Sequence, residues 1–380
     1  MNPSDSLVRQ ILDYLEPRID LAHVARSHAH HRAALDYADA DRAPIVFYLP
    51  YAGESFAPYP YVEAFADPAK MMVNELLAGF TSIFHAVDLH DDAPYCLRPN
   101  LGIGILASQF GAEIRLVENN PPWVMPLGEI AKLRALADEP LPDVFSGLVP
   151  RALEQYAYFA NAVKDYPHCR AAFQFTLPDL QGPFSIAELL FGSAIYPLFY
   201  DDPGLILRWL ARITEQITAV YRVLRPHIKN DLGDGYCYQH AVAVKGNLLI
   251  RNDSMVNLSA KMYRERVLSF DQQLGQTLGS VAVHFCGRGF HQIGNLLRIP
   301  NLGSLDLGNP EMNDLDALYA QSQTQHVALA RLAVPETELH ASTIAKRFPR
   351  GVNLAIKPTH LRHAHTLLNQ YEEVMHSTNS

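Results

Sequence analysis

From residue 247 onward the chain alternates a short apolar run with an amphipathic stretch, unit after unit. NLLIRND (247–253) precedes SAKMYRERVLSFDQQLGQTLG, and VAVHFCG (281–287) precedes FHQIGNLLRI. LGSLDLGNP (302–310) precedes NDLDALYAQS, HVALARLAVP (326–335) precedes ETELHASTIAKRF, and GVNLAIKP (351–358) precedes THLRHAHTLLNQYEEVMH. Apolar runs of strand length, each followed by a helical period, predict parallel strands joined by helical crossovers. Three earlier runs read as strands as well: PIVFYLP (44–50), SIFHAVD (82–88) and CRAAFQFTLP (169–178). Eight such units predict an α/β protein of the (β/α)8 TIM-barrel type. No fixed-period repeat is present, which argues against a solenoid.

Two segments fall outside the alternation. Residues 1–40 read as an N-terminal helical extension, capped by Ser4 or Ser6, with Leu7, Ile11 and Leu15 at helical spacing. Its SHAHH run places His28, His30 and His31 on what reads as a solvated helix end. The barrel would occupy 41–375, with Asp67 and Pro68 opening a helix over 67–80. Residues 90–150, rich in Gly and Pro, read as an inserted hairpin region after the second strand. Gly102-x-Gly104 within it lacks the third glycine of a nucleotide loop and reads as structural.

Composition narrows the function. With 48% hydrophobic and 19% charged residues the chain can bury a large core. Lys and Arg number 31 against 40 Asp and Glu, a net charge of −9 with no basic cluster, which argues against nucleic acid. No apolar run reaches the roughly 18 residues of a membrane span, and the N-terminus reads as helix, not as a signal peptide. The four cysteines are too few for a disulfide framework. The expectation is a cytoplasmic enzyme or binding protein.

A (β/α)8 barrel carries its site at the C-terminal ends of the strands. Those ends supply Tyr51, Gly53 and Glu54; Asp88, Asp91 and Asp92; Asp179 and Gln181; Asn252 and Asp253; His284, Cys286 and Arg288; Asp306, Asn309 and Glu311; Glu336; and Lys357 and His360. The expected site is polar and acidic, with few cations. His284-x-Cys286 is the sharpest signal, because residues two apart on a strand face one side and offer an N/S pair suited to zinc. Cys237 precedes the fourth strand and would point away from the mouth, while Cys96 and Cys169 read as structural.

DLQGPFSIAELLFG (179–192), YDDPGLILRWL (200–210), NDSMVNLSAKMYRERVL (252–268), HFCGRG (284–289) and LASQFGAEI (106–114) resemble the uroporphyrinogen decarboxylase superfamily over roughly residues 40–370. The resemblance implies a (β/α)8 barrel. It also implies one of two activities, porphyrinogen decarboxylation without a cofactor or zinc-dependent methyl transfer between a corrinoid protein and a thiol. The decarboxylase branch carries arginines after strand one, whereas YLPYAGESFAPYPY (48–61) has none to meet a polycarboxylate.

The methyltransferase branch therefore leads. Its His-x-Cys falls on His284 and Cys286, but its later cysteine has no counterpart here, and His360 is the nearest donor in sequence, ahead of Asp253 and Glu336. Asp88, Asp179 and Asp253 are the candidate catalytic carboxylates, and Gln181, Asn252, Arg288 and Asn309 the candidate substrate contacts. Zinc is the expected cofactor and a corrinoid would come only on a separate partner protein. The resemblance also brings a homodimer as one assembly to expect. Two alternatives remain open: a metal-free lyase or decarboxylase on a small acid, with His284 moving the proton, and a non-catalytic ligand-binding barrel.

Overall fold

The computed structural model describes residues 3–376 except 53, 54 and 118. Its twelve strands, in chain order, are β1 (Ile45–Phe47), β2 (Cys96–Leu97), β3 (Glu113–Arg115), β4 (Trp123–Met125), β5 (Gln174–Phe175), β6 (Tyr236–Gln239), β7 (Val242–Lys245), β8 (Leu248–Arg251), β9 (Val281–Phe285), β10 (Leu302–Leu307), β11 (Ala328–Leu332) and β12 (Val352–Ile356). Six of them form one parallel sheet in the order β1-β12-β11-β10-β9-β8. Their Val, Ala and Leu side chains are buried along the whole run, as parallel strands covered on both faces require. A second parallel pair, β2 with β5, continues the curve. Two thin seams join it to the sheet: a bridge between Gln181 and Arg251, and the Asp92 amide on the Ile45 carbonyl at 2.9 Å. The architecture is a mixed α/β fold around a curved parallel sheet, without one continuous closed ladder among the described residues.

The alternating units after residue 247 fall where the sequence places them, with one refinement: the helix over 259–279 breaks at Val267 into Ala260–Arg266 and Leu268–Leu278. The insertion also contains a hairpin, β3 against β4. The second strand is a correction. SIFHAVD forms the helix Ile83–Leu89, and the strand is the short Cys96–Leu97 instead. The third expected strand shrinks likewise, since Pro167–Ala172 is helical and only Gln174–Phe175 is extended.

The N-terminal extension is two helices, Pro3–Leu15 and Leu21–Leu35, the second capped by Asp20. Its histidines are not solvated, contrary to expectation. His31 is fully buried with Nε2 at 2.8 Å from the Asp92 carbonyl, and His23 Nε2 lies 2.7 Å from that of Asp91. His30 Nδ1 meets Asp92 Oδ1 at 2.8 Å, and the His28 ring packs beside Tyr238. Desolvation pushes His28 down to about 4. His23, His30 and His31 staple the extension to Asp91 and Asp92 beside β1, and His28 packs it against Tyr238 of β6.

The least expected element is the hairpin β6–β7, which packs inside the curve of the sheet. Asn353 of β12 donates to the Ala243 carbonyl at 2.8 Å, and the Lys245 amide donates to Ser304 Oγ of β10 at 2.9 Å. Arg251 of β8 donates to Gln239 Oε1 at 2.9 Å, and the Tyr48 hydroxyl, beyond β1, donates to the His240 carbonyl at 2.8 Å. One small hairpin touching strands from both ends of the sheet means that the sheet wraps around it. Cys237 is buried on this hairpin.

Candidate functional site

Register assembles the site. Arg251 of β8, His284 of β9 and Asp306 of β10 are direct partners across three neighbouring strands, so their side chains stand in one row. Asp306 is fully buried at the centre of a cluster. Its Oδ2 lies 3.0 Å from His284 Nδ1 and 2.9 Å from His240 Nδ1, and its Oδ1 accepts from Arg331 Nε. The Arg331 guanidinium and the two imidazoles hold this carboxyl well below the usual carboxylate range, against its own burial.

The proton on His284 can be placed by counting partners. Nδ1 faces two acceptors, Asp306 Oδ2 at 3.0 Å and the Asp306 carbonyl at 3.1 Å, against one donor, Arg331 Nη2 at 2.9 Å. Two acceptors on Nδ1 at 3.0 and 3.1 Å, against one on Nε2, Asp253 Oδ1 at 3.4 Å, favour the hydrogen on Nδ1, which leaves the Nε2 lone pair free. That lone pair faces Cys286 Sγ and Asp253 Oδ1, each at 3.4 Å.

The Cys286 loop is held from below. Asp253 Oδ1 accepts from the Cys286 amide at 2.8 Å, Asn309 Oδ1 from the Gly287 amide at 3.1 Å, and Asn313 Oδ1 from the Gly289 amide at 3.1 Å. Partial desolvation of the sulfur, in a residue otherwise exposed, with the Asp253 carboxylate beside it, pushes the thiol up to about 11. A thiol in that range is no nucleophile at neutral pH without a cation. Gly308 makes room for the sulfur, because a Cβ there would collide with Sγ and come within 3.0 Å of His284 Cε1. Gly308 and Arg331 also line a cavity of about 450 Å³ shared with Tyr48, Asn309, Glu336 and Lys357.

Among the described residues two groups could hold an ion: Asp253, His284 and Cys286, or His240, His284 and Asp306, in each of which the donor atoms lie within 4.8 Å of one another. Zinc, with bonds of roughly 2.0–2.3 Å at tetrahedral angles, separates its donors by roughly 3.3–3.6 Å. The 3.4 Å spacings around His284 Nε2 fit that figure. A carboxylate holding the far nitrogen of a ligating histidine is the usual outer support of such sites. The second group fits poorly, since Arg331 already neutralises Asp306 and would repel a cation.

Several expected residues sit elsewhere. Asp88 is exposed on the helix Ile83–Leu89 and accepts from the Tyr14 hydroxyl at 3.2 Å. Asp91 and Asp92 lie alongside β1, bonded to the amides of Phe47 and Ile45, on the sheet edge opposite β8. Asp179 is clamped by Arg98 at 2.6 Å and Arg251 at 2.8 Å, which hold it down at about 2 despite burial. Asn252 turns away into the helical layer, donating to Asp271 Oδ2 at 2.7 Å. Gln181 is buried and bridges to β8 through its backbone. Arg288 is exposed, and neither cation group includes His360, whose Nδ1 accepts from the His363 amide at 3.0 Å. Glu336 meets His363 Nε2 at 3.2 Å, and Glu54 and Gly53 lie outside the described residues.

The expectation of few cations is overturned by Arg98, Arg251 and Arg331, all inside the curve of the sheet. Sequence reasoning passed over Arg98, Arg331 and His240. Asp306 was among the expected strand-end residues, but nothing in the sequence set it at the centre of the cluster.

No protein-family model matches the sequence, and no curated protein matches it. Among the described residues no helix is long and apolar enough to cross a membrane. Among solved structures the chain is similar to a methyltransferase from Methanosarcina mazei, with a TM-score of 0.63 at 14% identity, covering 93% of this chain and 99% of that one. The chain therefore shares a methyltransferase-like fold over almost its whole length.

Proposed function

We propose that this chain is a methyl- or one-carbon-transferring enzyme of the uroporphyrinogen decarboxylase-like (β/α)8 barrels, with a zinc site formed by His284, Cys286 and Asp253. The observation that carries the reading is the His284 ring, bound through Nδ1 to Asp306 at 3.0 Å and turned through Nε2 toward a thiol and a carboxylate at 3.4 Å. The likeness to a methyltransferase fold supports it.

When bound there, zinc would act as a Lewis acid toward a thiol-type acceptor and lower its pKa. The chain's own residues do the rest. Asp306 keeps the proton on Nδ1, Asp253 fixes the Cys286 backbone, and Gly308 leaves the sulfur its place. The neighbouring cavity of about 450 Å³ offers Lys357 to an anionic group of the acceptor, with Tyr48 and Asn309 on its walls. A corrinoid on a separate partner protein is the proposed methyl donor. The metal-free lyase is the weaker reading, because Asp88 lies away from the cluster and Asp179 is doubly paired.

The test is metal analysis and cobalt substitution on protein purified without oxygen. Wild type should hold about one equivalent and show thiolate-to-cobalt absorption. His284→Ala, Cys286→Ser and Asp253→Asn should each weaken binding at least tenfold, and His360→Ala should leave it unchanged. Trace metal that is the same in every variant sinks the proposal.

A further inference from the structure

The hairpin β6–β7 turns at His240 and Ala241, with φ of 51° and 54°. Two-residue hairpin turns with both residues left-handed are normally Asn-Gly or a close relative, since side chains beyond glycine resist that region. Here the turn carries neither glycine nor asparagine. Such an outlier persists only where its surroundings over-determine it, and it points toward a use.

His240 is over-determined. Its ring lies 4.5 Å from that of Phe80, edge-on, and 4.9 Å from that of His284. Tyr48 holds its carbonyl, and its Nδ1 reaches Asp306 Oδ2 at 2.9 Å. A second outlier meets the same carboxylate from another element. Arg331 has φ of 60° where the pairing of β11 with β12 shifts register, its amide donates to Asn353 Oδ1 at 2.8 Å, and its Nε binds Asp306 Oδ1. Two unfavourable backbone conformations on separate elements converge on one oxygen pair.

We propose that His240 is a positioning residue, carried into the sheet by the hairpin to pin Asp306 Oδ2 so that His284 keeps its proton on Nδ1 and its lone pair toward Cys286 and Asp253. Without that pin, Asp306 is free to turn both oxygens onto the Arg331 fork, the stronger bidentate arrangement. His284 Nδ1 is then left between a carbonyl acceptor at 3.1 Å and a guanidinium donor at 2.9 Å, a setting that admits either tautomer. A ring protonated at Nε2 offers no lone pair to a metal.

The metal consequence rests on the zinc reading above, and the tautomer does not. The experiment therefore reads both on the full chain. Nitrogen-15 spectra of labelled histidines in metal-free protein report the His284 tautomer, and chelator competition reports zinc affinity. His240→Gly removes the imidazole, His240→Asn keeps a short donor that tolerates the left-handed region, and Ala241→Gly relaxes the turn while leaving the ring in place.

Wild type and Ala241→Gly should show one tautomer with hydrogen on Nδ1. His240→Gly should show a mixture and zinc binding about 10–100-fold weaker, with His240→Asn recovering part of both. If His240→Gly keeps the single tautomer, the proposal is overturned, whatever the metal does. Failure of the wild type to bind zinc would overturn the site reading and leave the tautomer result to decide this one.

Discussion

At the scale of single residues, the site depends on one absent methyl group. Gly308→Ala would drive a Cβ into the space of Cys286 Sγ, so the sulfur must rotate away from His284 Nε2. The predicted result is a loss of zinc affinity of at least about tenfold by chelator competition, with the circular dichroism spectrum unchanged. An alanine variant with wild-type affinity would show that the thiol is not held there. A second prediction concerns Asp271, fully buried with the Tyr263 hydroxyl and Asn252 Nδ2 on its Oδ2. Burial raises this carboxyl from 3.8 to about 6. A folded-state value above the unfolded one stabilises at low pH, and that contribution is lost as pH rises through about 6. Between about pH 4 and 7 the stability of wild type relative to Asp271→Asn should fall by up to about 3 kcal/mol in urea titrations. Parallel curves would refute it. His284 and Cys286 were legible in the sequence because a period of two settles which face they share. Arg331 was not, and Asp306 was only one strand-end carboxylate among several, since the pairing of β9 with β10 and the backbone shift in β11 are set by strands distant in the chain.

At the scale of elements, the helix Leu21–Leu35 depends on Asp92. Arg42 and His30 meet this buried carboxylate, and the Ile45 amide donates to it at 3.0 Å. Asp92→Asn leaves the buried Arg42 guanidinium only the half-exposed Glu372 at 3.5 Å and should cost about 3–5 kcal/mol by chemical denaturation. A loss under about 1 kcal/mol would mean that solvent reaches Arg42 more easily than its burial implies. The strand–helix units after residue 247 were readable because each strand is a continuous apolar run, buried on both faces. SIFHAVD misled for the same reason: a short apolar run suits a buried helix as well as a strand. Cys96–Leu97 is too short to carry any periodicity. The hairpin YCYQHAVAVK alternates as a strand pair should, but its turn is His-Ala, which lacks the glycine or asparagine that announces a hairpin.

At the scale of the molecule, the curved sheet has no empty centre. The hairpin β6–β7 occupies it, in contact with β8, β10 and β12 and with the segment that follows β1. Its link to β8 is only Gly246 and Asn247, and a Cβ at Gly246 would collide with the Ala282 amide of β9. The hairpin, β8 and β9 are adjacent in sequence, so the contacts among these three close short loops and form early, whereas the hairpin's contacts with β10 and β12 are long-range. The β1–β12 pairing joins opposite ends of the chain and closes last. A ladder that had already curled shut would leave no opening through which Tyr238 or His240 could enter. The order of assembly expected from that geometry has the plug present before the sheet is wound onto it. The groups that meet at Asp306 come from the hairpin, β9 and β11, none of them part of the β1–β12 closure.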